Sequence, residues 1–114
     1  TEPEEQEVDL WSVKPKKVIS EIIDTVHAAP RLIENEYRRS RQKWIDCFAG
    51  QLFIVESYVY SKRAKKEFNP GGKERIVAKI EAIKEQLWAI REKGQDASSA
   101  EKKELLQMLH GLIG

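Results

Sequence analysis

Outside its hydroxyl groups, the chain has one thiol and two imidazoles with which to do chemistry: Cys47, His27 and His110. Cys47 stands beside Phe48 in an apolar helical stretch, where a thiol is expected to be buried and inert rather than activated. The serines lack the G-x-S-x-G turn that exposes a nucleophile. Asp24 and His27 share a helix face, the spacing used by metal sites in helical proteins. Such sites draw a matching pair from a second helix, and this chain has one copy. A hydrogen-bonded structural histidine is therefore the expectation. "GGKE", residues 71–74, sets glycines before a lysine at a helix start but lacks the G-x-x-x-x-G-K-[ST] spacing and a preceding strand, so it reads as a turn. Glu81, Glu85 and Glu92 fall near lysines on the outside of a helix, as a solvated face does. These residues define no catalytic group, metal site or cofactor site, and the chain is expected to be noncatalytic.

Binding chemistry is better represented. "RRSRQKW", residues 38–44, places Arg38, Arg39, Gln42 and Lys43 opposite the apolar stripe that contains Trp44, with Arg41 leaning toward that stripe. Lys62, Arg63, Lys65 and Lys66 surround a helix end, where cations suit the negative pole of the dipole. Lys14, Lys16 and Lys17 occupy a helix start, where each cation costs roughly 0.3–1 kcal/mol, and so point to an anionic contact. Arg38, Arg39, Lys43, Lys16 and Lys17 are the candidate basic contacts for an anion or an acidic partner. Trp88, lying off the main seam of its helix with Val77, and Trp11 in "VDLWSV" are the candidate apolar anchors, because aromatic side chains dominate protein interfaces.

Four segments with a period near 3.6 must position these residues. The first opens at Pro15 and carries Val18, Ile19, Ile22, Ile23 and Val26 on one arc; Pro30 in "HAAP" is expected to end it. The second, about residues 31–68, aligns Ile33, Tyr37, Trp44, Phe48, Val55 and Val59 and reads as one long helix, with Gly50 as a potential kink. From Trp44 to Tyr60 it is apolar on nearly every side, as expected of a central helix surrounded by others. Gln51 and Glu56 interrupt that arc, and Glu56 should meet a base, water or the surface. "NPGG", residues 69–72, stops the helix. The third helix, about 73–93, spaces Ile76, Ile80, Ile83, Leu87 and Ile90 as a short heptad seam. After the loop "KGQDASS", Ser98 and Glu101 form a capping box for a fourth helix with Leu105, Leu106, Leu109, Leu112 and Ile113 inward. The expected fold is all-α, a four-helix bundle-like domain with one long central helix.

Composition sets the remaining bounds. The 114 residues suit one domain, assigned to 13–114 behind an acidic tail at 1–12. Five of the 19 acidic residues lie within residues 1–9, leaving 20 bases against 14 acids in the rest of the chain. An initial Thr without an apolar leader is expected of a piece of a longer or processed chain. No run of about 18 uncharged apolar residues could span a membrane. A lone cysteine and the lack of an Asn-x-Ser/Thr acceptor favour a reducing compartment, cytoplasmic or nuclear. The expectation is a noncatalytic helical protein–protein interaction module for adaptor or assembly work, without cofactor, inside a larger protein or complex. Another protein is the expected partner, and a second copy of the chain is also admitted. The alternative is an anion-binding domain holding RNA, DNA or acidic lipid through the basic faces of the first two helices. A sequence pI near 7.8 and the lack of an aromatic platform between the bases make nucleic acid the weaker choice.

Overall fold

The apolar periodicity is realised as helix throughout. A computed structural model describes residues 17–65, 67–69 and 71–113 and contains no strand among them. The elements are α1 (Lys17–Ser40), α2 (Trp44–Val59), α3 (Lys62–Lys65), α4 (Gly72–Glu92) and α5 (Ser99–His110), followed by a 3-10 turn (Gly111–Ile113). The assigned acidic tail lies outside the described residues. None of the described helices is long and apolar enough to cross a membrane.

The expected helix boundaries change in three places. Pro30 does not end a helix; α1 continues through it. Val26, Ala29 and Ile33, at helical spacing around the proline, are all fully buried. Packing of that continuous face outweighs the lost hydrogen bond and the ring clash, together about 3 kcal/mol. The long helix assigned to 31–68 is instead divided at residues 41–43. Arg41 adopts φ 62°, a left-handed conformation that ends α1 just after Ser40. A second interruption falls after Tyr60. There the Ser61 hydroxyl accepts from the Ala64 N–H at 3.1 Å and donates to the Tyr58 carbonyl at 2.8 Å, starting α3. Gly50, the anticipated kink, lies within an unbroken α2.

The turn at 41–43 folds α2 back along α1. Near its far end, Arg63 reaches Glu21 on α1 at 3.7 Å. On its other side α2 packs against α4, while α5 touches α4 and α1. Between them lie Ile22, Val26 and Ile33 of α1, with Trp44, Phe48, Leu52, Val55 and Val59 of α2. The Trp44 and Phe48 rings stack at 5.5 Å. All five residues of the α4 seam are buried, as are Leu105, Leu109 and Leu112, while Leu106 and Ile113 pack at the core's margin. The Ser98–Glu101 capping box forms: the Glu101 N–H donates to Ser98 Oγ, and Glu101 Oε1 accepts from the Ser98 N–H.

The start of α2 depends on a distant residue. Lys43, which precedes the helix, supplies no side-chain cap. The Trp44 and Ile45 N–H groups instead donate to Asp96 Oδ2 and Oδ1 at 2.8 and 3.0 Å, from the loop between α4 and α5. Lys43 Nζ donates to the Gly94 carbonyl of the same loop at 2.9 Å. Burial by itself would raise the Asp96 carboxyl. The N–H groups of Trp44, Ile45 and Ala97, with the Lys102 ammonium, more than offset this and hold it below the ordinary carboxylate value.

Two outcomes follow. Asp96→Ala should lower the unfolding free energy at neutral pH by about 1–2 kcal/mol, the worth of a strong helix cap. Because the folded Asp96 value is depressed, its contribution is present above about pH 4 and lost as pH falls through the folded value. Urea unfolding across that range should therefore bring the wild-type and variant curves together in acid. Arg41→Gly should remove the left-handed strain and raise stability by about 1 kcal/mol, seen as a higher denaturation midpoint with an unchanged slope.

Candidate docking face

With α1 on one side of α2 and α4 on the other, the remaining face of α2 is left uncovered. Phe53 is 67% exposed and Ile54 40% exposed. The near-continuous apolar character of residues 44–60 therefore does not mark a helix enclosed on all sides. Part of it forms surface.

Four of the large exposed apolar residues lie together there. Phe53 and Trp88, which is 51% exposed, border an apolar groove of about 350 Å³ between α2 and α4, floored by Ala49, Gly50 and Leu87. Leu32 and Ile54 border a neighbouring groove of about 400 Å³ between α1 and α2. Gly50 contributes to both grooves and is itself exposed. The result is one surface running from α1 across α2 to α4, with a residue lacking a side chain at its centre. Contiguous exposed apolar patches of this kind mark interaction sites.

The α1–α2 groove carries Glu36, Arg39 and Asp46 among its lining residues, whereas the α2–α4 groove has its charges at its two ends. At one end of the α2–α4 groove, Lys84 lies 3.0 Å from Glu56 and 3.6 Å from Glu81. Its hydrogen bond to Glu56 raises the Lys84 ammonium above its ordinary value despite partial burial. Glu56 thus meets the base its position requires. At the other end, Arg91 pairs with Asp46 at 3.3 Å and lies 5.0 Å from the centre of the Trp88 ring. Cation–π contact and the ion pair restrain Trp88, so less rotamer freedom remains to be lost when a partner covers it.

Most of the other residues singled out by their types fall elsewhere. Val77 is half-buried against the core and does not line the groove with Trp88. Trp11 and Lys16 lie outside the described residues, as does the side chain of Lys17, the first residue of α1. Arg38 and Arg39 occupy the last turn of α1, where cations suit the dipole; Arg39 is paired with Glu36. Lys43 is engaged by the Gly94 carbonyl and stands beside the Asp46–Arg91 end of the face. Cys47 is buried, and burial first of all pushes its thiol upward, away from the reactive thiolate. The rings of His27 and His110 come within 5.9 Å, but no group of three metal-ligating side chains forms among the described residues. Gln51 Oε1 is buried and meets no donor among the described residues.

Phe53, Ile54, Leu32 and Gly50 are the residues of this face that sequence reasoning missed. The available signal was the excess of apolar residues on α2, more than two neighbouring helices could cover. Compared with family models, curated proteins and solved structures, the chain has no match.

Gly50 separates fold from face experimentally. A Cβ built there meets nothing within 4 Å, and the residue does not need a left-handed backbone. Gly50→Ala should therefore raise the stability of dilute protein by about 0.5–1 kcal/mol through helix propensity alone, measured by thermal or urea unfolding.

Proposed function

We propose that this chain is a noncatalytic helical interaction module, whose bundle-like scaffold holds the Leu32–Ile54–Phe53–Trp88 face for a protein partner in a reducing compartment. The observation that carries this reading is the clustering of four large exposed apolar residues on one face, around two grooves and a flat centre. Isolated exposed apolar residues are ordinary on protein surfaces, but a contiguous set beside a groove has the anatomy of an interface core. Its polar rim, at Glu56–Lys84 and Asp46–Arg91, completes that anatomy. Of the anchors expected from sequence, Trp88 is retained and Phe53 takes the place of Val77 beside it. No separate observation favours the anion-binding alternative: Arg39 pairs with Glu36, Lys43 is held by the Gly94 carbonyl, and Arg38 lies in the last turn of α1, where a cation suits the dipole.

The test is affinity capture by the wild type and by Trp88→Ala and Phe53→Glu variants that retain the helical far-ultraviolet signal. Each substitution should weaken capture by about 2 kcal/mol or more, roughly thirtyfold in dissociation constant. The loss should change little between low and physiological salt, since the contact is apolar. Equal capture by all three proteins rejects the reading, and a steep salt dependence transfers the activity to the basic residues.

A further inference from the structure

We propose, building on the docking face above, that its partner is a second copy of this chain, related by a two-fold axis that passes near Gly50.

A two-fold interface uses the same patch on both copies, so the patch must complement its own image. This one does so in shape. Phe53, two-thirds exposed, projects beside the α2–α4 groove of about 350 Å³, a space suited to an aromatic side chain rather than a folded element. In the pair, each Phe53 enters the other copy's groove and packs beside its Trp88. Every copy supplies one projection and one recess.

The centre of the face permits close approach. Gly50 borders both grooves and presents no side chain, so two α2 helices crossing there bring their backbones nearer than any other residue would allow. The intramolecular packing does not use this property, since a Cβ at Gly50 would meet nothing. A second backbone at that point gives the glycine a role.

The rim is complementary in charge only when one copy is reversed. At one end, two acids, Glu56 and Glu81, surround a single base, Lys84. At the other, three bases, Arg91, Lys43 and Arg39, lie beside two acids, Asp46 and Glu36, again an excess of one charge but of the opposite sign. A two-fold rotation about Gly50 lays the acidic end of each copy on the basic end of the other, at both ends at once. Parallel stacking would oppose like charges. The paired α2 and α4 helices of the two copies then form a four-helix layer with the Phe53 and Trp88 rings enclosed.

Sedimentation equilibrium of the whole chain from micromolar to millimolar concentration tests this. Wild-type protein should move from 13.2 kDa toward twice that mass as concentration rises. Phe53→Glu, which places a charge in the recess, and Gly50→Leu, which fills the crossing point, should each weaken self-association at least about thirtyfold while keeping the helical signal. Gly50→Leu also improves helix propensity, so a loss of dimer with the helical signal retained reports on the crossing point rather than on folding. Wild-type protein that stays at 13.2 kDa throughout overturns the second copy as partner. The docking reading then still stands or falls on the capture experiment, where Phe53 and Trp88 act on a different protein. A dimer unaffected by both substitutions equally overturns the proposal, because its interface lies elsewhere.

Discussion

The carboxylate of Asp96, bonded to the first two amides of α2, ties the two halves of the fold together. A helix start exposes N–H groups that intrahelical bonding cannot satisfy, and the residue preceding α2 is a lysine with no acceptor to offer. Supplying the acceptor from the α4–α5 loop joins the α1–α2 hairpin to the α4–α5 pair by two bonds to one side chain. Lys43 on the Gly94 carbonyl and Lys102 over the Tyr37 and Trp44 rings reinforce the same corner. With the start of α2 fixed against that loop, the helix approaches α4 in the register that forms the groove between Phe53 and Trp88.

Elements governed by local chemistry were legible in the sequence. The heptad spacing of α4 and the Ser98–Glu101 box each depend on residues a few positions apart, and each is present as read. Two of the three misplaced boundaries are conflicts between local preference and packing. At Pro30 the local rule favoured a break, and the buried Val26–Ala29–Ile33 face overruled it. At Arg41 the local rule favoured continuation: glycine or asparagine is the usual residue where a helix ends in a left-handed turn, and arginine carries no such mark. The decisive partner of that corner is 52 residues away from Trp44, beyond the reach of any pattern in the local sequence.

The candidate face was legible only in part. Trp88 stood out by lying off the α4 seam. Phe53 and Ile54 did not, because an apolar residue on a strongly apolar helix reads as core until the number of covering helices is known. The short break at 41–43 decides that number. An unbroken helix would have carried residues 44–60 away from α1; the turn returns them along α1, with α4 on the other flank and one side of α2 open. Three residues of corner therefore turn what looked like interior into surface.

Gly50 has a further meaning for how this sequence can change over time. Nearly every other residue type at that exposed helical position improves backbone propensity and meets no obstruction, so drift toward stability alone would discard the glycine. Retaining it keeps the chain below its attainable stability, in the manner of a site where folding and use pull in opposite directions. If the proposed pairing holds, the glycine and the aromatic residue at position 53 should be lost together among related sequences, since each serves the same contact.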